Sequence, residues 1–163
     1  MGYILQNSGE YMNPEFEFSF EPVTEQELVA FETKNHLALP KDYKDFLKFS
    51  NGGKSVLRRF KTLDKVVISS IMLFFPLNKK EEHNLEGSYQ KYTHNNVVPP
   101  NFLPIGRDPR NNIICLAVSG EETGRVYFCD LSHLEEDKGL IKELIRLTAA
   151  SFTEFLQSLY KAE

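Results

Sequence analysis

Residues 39–53 constrain the fold more than any other part of the chain. Pro40 suits the first position of a helix, where its missing N–H is no loss and its fixed φ already fits. Tyr43, Phe46, Leu47 and Ser50 then recur at i, i+3, i+4 and i+7, so three large apolar groups share one face. Lys41, Asp42, Lys44, Asp45 and Lys48 fall on the other side, which is expected to face water. Asn51-Gly52-Gly53 reads as a stop, because glycine enters the left-handed conformation beyond a helix without a Cβ penalty. The spacing therefore predicts a short core-docking helix with an abrupt exit.

The flanks supply its partners. Residues 15–21 alternate apolar and polar with the period of a half-buried strand, behind an Asn13-Pro14 turn and a loosely held arm over residues 1–14. Thr24 and Glu27 stand at capping-box spacing, opening a helix that turns Leu28 and Phe31 inward and fades near Asn35-His36. Residues 58–63, 65–68 and 71–77 are β-like, the last apolar enough for a central strand up to Pro76. Residues 78–94 read as a surface excursion with a helical turn or two, interrupted at Gly87. Strands follow at 102–106, 113–118 and 125–130, joined by turns at 108–112 and 119–124. Leu140, Ile141, Leu144 and Ile145 fit helical spacing, with an irregular segment as the alternative, and Ser151 with Glu154 repeats the capping signal before Phe152, Phe155, Leu156 and Leu159. A chain of 163 residues suits one core, and with 13 Phe and no Trp, phenylalanine must fill it. The fold class expected is α+β: a single domain over residues 15–163, with a mostly antiparallel sheet covered on one face by N-terminal and C-terminal helices.

Function classes narrow by exclusion. No run approaches the roughly 20 apolar residues that span a bilayer, and the start of the chain lacks the basic and apolar regions of a secretion signal. A cytoplasmic protein is expected, without a membrane role. The net charge of −4 argues against direct nucleic-acid binding. His36, His83, His94 and His133 form no metal-ligand spacing, and no nucleophile motif is present, so neither metal, cofactor nor catalysis is expected. Asp108 and Asp130 could meet as a carboxylate pair, although Asp108 more simply caps its own turn. If Leu116 lies opposite Phe128, Cys115 lies opposite Cys129 on the other face, and a one-residue slip separates them. In either register two small, half-buried, reduced residues are expected.

Charge is the remaining signal. Glu10, Glu15, Glu17, Glu21, Glu25 and Glu27 occupy one stretch without a basic residue. Glu121, Glu122, Asp130, Glu135, Glu136 and Asp137 form another, relieved only by Arg125, whereas Lys54, Arg58, Arg59, Lys61 and Lys65 accompany only Asp64. Such asymmetry can steer a charged partner.

Three blocks in order carry a resemblance. These are Leu39-Pro40 with Asp42-Tyr43, Phe46-Leu47 and Asn51-Gly52; then residues 103–116 with 124–130; then Ala150-Ser151-Phe152-Thr153-Glu154-Phe155-Leu156. Together, over residues 23–160, they resemble the SMI1/KNR4 (SUKH) superfamily. Asn111 stands where members often carry glycine, and Cys129 where many carry tryptophan. Asn tolerates positive φ, so the turn should survive. The resemblance implies a protein-binding domain without catalysis, similar to stand-alone bacterial immunity proteins. Those bind a cognate polymorphic or contact-dependent toxin, often a nuclease, and occlude its active site. Pro40, Tyr43, Asn51, Gly52, Gly106, Asp108 and Asn112 are expected to maintain the fold. Glu121, Glu122, Glu135, Glu136 and Asp137 are the candidate partner-binding residues, presenting acidic groups to a basic cleft as phosphates would. A regulatory domain with a non-toxin partner, or a small-ligand binder, stays open as an alternative.

Overall fold

The structure is a computed structural model that describes residues 14–78, 80–132 and 140–161. Residues 1–13 of the arm expected over residues 1–14, and residues 133–139 of the acidic loop, lie outside the described residues. Four helices are described: α1 (Glu25–Asn35), α2 (Lys41–Phe49), α3 (Leu85–Ser88) and α4 (Phe152–Ser158). The strands are β1 (Phe16–Phe20), β2 (Asn51–Ser55), β3 (Arg59–Lys61), β4 (Ile68–Ser70), β5 (Leu73–Phe74), β6 (Phe102–Arg107), β7 (Ile113–Ala117), β8 (Val126–Cys129) and β9 (Ile145–Ala149).

Local chemistry starts the helices where the spacing predicts. Thr24 Oγ1 accepts from Glu27 N at 3.1 Å and Glu27 Oε1 accepts from Thr24 N at 3.0 Å, closing the capping box of α1. Ser151 Oγ accepts from Glu154 N at 3.0 Å and opens α4. In α2, Tyr43, Phe46 and Leu47 are buried as expected. Pro40 differs by one position. Its carbonyl accepts from Lys44 N at 3.0 Å while its own ψ of 144° lies outside the helix, which makes it the cap. Asp42 is half-buried, where a solvated face was expected: it accepts from Thr153 N at 3.0 Å and Thr153 Oγ1 at 2.9 Å, tying α2 to α4.

The larger correction comes at the end of α2. Ser50 is extended, and Asn51 to Ser55 form β2, so Asn51-Gly52-Gly53 begins a strand and does not serve as a left-handed stop. Gly52 takes φ 69°, and a Cβ there would stand 2.5 Å from Phe74 O and 2.8 Å from Pro76 N. The glycine is required because another backbone passes where a side chain would be.

Seven strands form one sheet in the order β1-β2-β5-β6-β7-β8-β9, each pair antiparallel, while β3 and β4 pair as a separate hairpin. The expected α+β architecture is what the chain adopts. Phenylalanine builds the core: the Phe46 ring lies 5.8, 5.2 and 4.9 Å from those of Phe16, Phe74 and Phe152, and Phe60 lies 5.6 Å from Phe155. Tilted pairs of this kind add about 0.5–1.5 kcal/mol each beyond their burial.

The cover is two-sided. Every residue of β7 is buried, so alternate side chains on both faces are shielded and the one-face expectation fails. The helical turn or two expected within residues 78–94 forms, but from Leu85 onward it packs on the core and is not a surface excursion. Asn84 Oδ1 accepts from Gly87 N at 2.9 Å, so Gly87 continues α3, which runs into a π-helical turn over Tyr89–His94. Leu85, Tyr89 and Thr93 are buried at a four-residue spacing, and Thr93 Oγ1 donates to Phe102 O at 2.7 Å. After Leu140 the helical reading also fails beyond one 3₁₀ turn, Lys142–Leu144, because residues 145–149 pair with β8 as an edge strand.

The cysteines sit two positions from the expected register. Cys115 faces Tyr127 and Cys129 faces Ile113, which keeps both thiols on one face as diagonal neighbours. Both are free and fully buried, not half-buried. Burial, followed by the hydrogen bond and charge of Cys129, pushes the Cys115 thiol up.

Candidate functional site

Antiparallel pairing decides which charges stay available. The basic stretch and the first acidic stretch meet across β1 and β2: Glu17 lies 3.5 Å from Lys54 and 3.3 Å from Arg58. The hydrogen bond from Arg58 is the main reason that the Glu17 carboxyl is held below its ordinary range. Glu25 meets Lys48 at 3.2 Å and Glu27 closes its capping box, so three of these acids have structural roles.

Glu121 and Glu122 differ. They stand on the β7–β8 hairpin, where Gly124 N donates to Ala117 O at 2.8 Å and Thr123 Oγ1 donates to Gly120 O at 2.6 Å. Arg125 N donates to Glu122 O at 2.9 Å, and Asn101 Nδ2 reaches Ser119 O at 3.2 Å, fixing the loop to the start of β6. Glu121 is exposed and Glu122 half-exposed, and neither forms an ion pair with a described residue. Asp130 follows the opposite end of β8. Glu135, Glu136 and Asp137 lie outside the described residues, so two of the five candidates have a described position.

Apart from Pro40, which caps α2, and Tyr43 in the core, the residues expected to maintain the fold form two joints. At the first, Asn51 is buried; its Nδ2 donates to Glu21 O at 2.9 Å and Leu77 O at 3.3 Å, and its Oδ1 accepts from Leu77 N at 2.8 Å. Together with Gly52 it locks the passage from α2 into the sheet against the chain leaving β5. Tyr43, below it, is fully buried with its ring 4.9 Å from Phe152, and burial pushes its phenol well above the ordinary range.

The second joint is the β6–β7 turn. Asp108 Oδ1 accepts from Arg110 N at 2.9 Å and Asn112 N at 2.8 Å, and its Oδ2 accepts from Ser69 Oγ at 2.9 Å and Asn112 Nδ2 at 3.1 Å. Asn112 Oδ1 accepts from Leu131 N at 2.8 Å, and Asn111 takes the positive φ, 63°, that the turn needs. Gly106 lies opposite Phe74, with Leu73 O only 2.7 Å from where its Cβ would be. Asp108 and Asp130 do line one groove of about 500 Å³. Asp108, however, is saturated by donors, and Asp130 Oδ1 accepts from Ser132 N at 2.9 Å. The arrangement serves the turn better than proton transfer.

Two further features have no counterpart in the sequence reading. A groove of about 550 Å³ runs beside α1, lined by Glu27, Phe31, Lys34, Asn51 and Glu86, and bridged by Lys34 to Glu86 at 2.9 Å. The β3–β4 hairpin exposes Leu63, Val66 and Ile68 among basic residues. Their signal was present as Leu63 and Val66 around the turn residue Asp64, but β-like spacing alone does not say which face meets the core. Among the described residues, no three His, Cys, Asp or Glu side chains converge as metal ligands, and no helix is long and apolar enough to cross a membrane.

Residues 22–158 match the model of the SMI1 / KNR4 family (SUKH-1). The chain is similar to the SPbeta prophage-derived uncharacterized protein YokK of Bacillus subtilis (strain 168), 32% identical over 156 residues, covering 83% of this chain and 74% of that protein.

Proposed function

The chain belongs to the SMI1/KNR4 family (SUKH-1), and from that membership we propose that it is a cytoplasmic, non-catalytic immunity-type domain. In this reading residues 15–163 form a unit that binds a cognate bacterial toxin domain, of the polymorphic or contact-dependent kind, and covers its active site. Glu121 and Glu122 supply the contact, joined by Glu135, Glu136 and Asp137. The observation that supports this is the pinned β7–β8 hairpin, which holds two carboxylates without a cationic partner among the described residues. A pinned turn that carries two such carboxylates suits the basic cleft of a nuclease, because little backbone freedom is lost on docking and the charges match.

The test is calorimetric titration of the full chain with the purified toxin domain encoded beside its gene. We expect inhibition of that toxin and, for the double variant Glu121→Lys/Glu122→Lys, an affinity loss of about tenfold or more at unchanged melting temperature. Unchanged affinity in the variant removes the site. Failure of the native chain to bind or inhibit the toxin removes the function.

A further inference from the structure

We propose that the β3–β4 hairpin is a second docking surface, shaped for a protein segment that carries acidic and apolar side chains together. The inference rests on reading the chain as a protein-binding domain, but it concerns a surface separate from Glu121 and Glu122.

Scattered exposed apolar residues are ordinary on a folded surface, whereas a group of them on one element asks for a partner. Leu63, Val66 and Ile68 are exposed by 58%, 63% and 51%, and all belong to this one hairpin. Ile68 lies directly opposite Lys61, so the two side chains share a face. Arg59 is on that face by strand alternation, and Lys65 sits at the tip in left-handed backbone, φ 64°. Neither Arg59, Lys61 nor Lys65 meets a carboxylate of a described residue.

The exposure is not looseness. Thr62 is buried, and its Oγ1 accepts from Val67 N at 3.1 Å and donates to Asp64 Oδ1 at 2.6 Å. The same Asp64 oxygen accepts from Val66 N at 3.0 Å, while its Oδ2 meets Arg146 of β9 at 2.8 Å. Leu63 N donates to Leu147 O at 2.9 Å, and Lys65 N to Thr62 O at 2.9 Å. The tip is thus clamped to the edge of the main sheet, with its apolar groups held outward before any partner arrives. Preordering of this kind lowers the entropic cost of association.

Charge selects the occupant. A second copy would bring Arg59, Lys61 and Lys65 against their own kind, which opposes self-association. An anionic membrane is broad enough to meet the carboxylates that give the chain its net charge of −4 as well as the hairpin, whereas a short acidic segment meets the hairpin cations alone. A protein segment with Asp or Glu interspersed among Leu, Ile or Val satisfies both the cations and the apolar groups.

The experiment pans a random-peptide display library on the full chain, then titrates the best synthetic peptide into isotope-labelled protein by NMR. Enrichment of acidic, apolar peptides that shift the amides of residues 59–70 is the expected result. Lys61→Glu/Lys65→Glu and Val66→Ser/Ile68→Ser should each weaken that peptide by about tenfold or more at unchanged melting temperature, with no loss in Glu121→Lys/Glu122→Lys. No enriched binder, basic binders, or shifts confined to another surface would overturn the proposal. So would a dimer in sedimentation, or cosedimentation with phosphatidylglycerol vesicles, abolished by Val66→Ser/Ile68→Ser. A toxin that binds through Glu121 and Glu122 while the hairpin takes no peptide would leave the immunity reading standing and remove this one alone.

Discussion

Replacing Gly52 by alanine separates two costs that usually arrive together, provided that Gly124→Ala is measured beside it. Both glycines have positive φ, 69° and 94°, so alanine at either carries the left-handed penalty, about 1–2 kcal/mol. They differ in what a Cβ would meet. At Gly124 nothing lies within 4 Å, whereas at Gly52 the neighbours are Phe74 O at 2.5 Å, Pro76 N at 2.8 Å and Phe75 C at 2.9 Å. These are backbone atoms of the strand paired with β2, so no side-chain rotation relieves the clash. Relief needs β2 and β5 to part, and Asn51 resists that by gripping Leu77 from both sides. Overpacking of this kind adds about 1–3 kcal/mol. Gly124→Ala should therefore lose about 1–2 kcal/mol and Gly52→Ala about 2–5 kcal/mol, with roughly 2–4 °C of melting temperature per kcal/mol for a domain of this size. Urea denaturation and thermal melts followed by circular dichroism read both. If Gly52→Ala loses no more than Gly124→Ala, the close passage of β2 over β5 is not what requires glycine, and the account of the first joint falls.

Asn51→Ala should lower stability by about 2 kcal/mol in the same urea assay, since it strands the Leu77 amide, while the exposed Glu21 end regains water; no change would show the joint to be dispensable. Asp108→Ala removes an acceptor of hydrogen bonds from Ser69, Arg110 and Asn112 and should cost about 3 kcal/mol, loosening the β3–β4 hairpin in hydrogen exchange. The hydrogen bond from Thr62, followed by Val66 N and Arg146, holds the Asp64 carboxyl at about 2 against an ordinary 3.8. Its folded-state pKa is depressed, so its contribution is complete above the unfolded value near 3.8 and fades as pH falls toward 2. The melting-temperature gap between the native chain and Asp64→Asn should close over that window, and a gap that widens on acidification would contradict the assignment. Neither Cys115 nor Cys129 should react with Ellman's reagent until urea unfolds the chain, because both are buried and the Cys115 thiol is pushed up.

The elements with local signals were legible in the sequence. Thr24 with Glu27 and Ser151 with Glu154 mark helix starts because the capping groups lie within one turn of each other, and Asp108 to Asn112 marks a turn for the same reason. Where meaning depended on a distant strand, the reading failed. Asn51-Gly52-Gly53 carries the composition of a helix stop, but its positive φ values answer the backbone of residues 74–76 at Gly52 and of Phe18 and Ser19 at Gly53. The apolar pattern of residues 140–145 fits a helix until β8 offers an unpaired edge. Gly87 interrupts a helix by propensity alone, yet Asn84 and the burial of Leu85 and Tyr89 outweigh about 1 kcal/mol of glycine cost.

The charge pattern shows the same limit in the part that concerns function. In sequence, the run from Lys54 to Lys65 looked like one basic patch and the glutamates before α1 like one acidic patch. Pairing of β1 with β2 sets Glu17 against Lys54 and Arg58, so two of the five cations in that run meet a carboxylate. What it leaves uncovered is the later half of the basic run, on a hairpin outside the main sheet that also turns Leu63, Val66 and Ile68 outward. On the β7–β8 turn, Glu121 and Glu122 remain without an ion pair to a described residue. The domain can therefore offer opposite charges on two separate hairpins, β3–β4 and β7–β8. A partner large enough to touch both would be held in a single orientation, since the reversed pose would set like charges together at each hairpin.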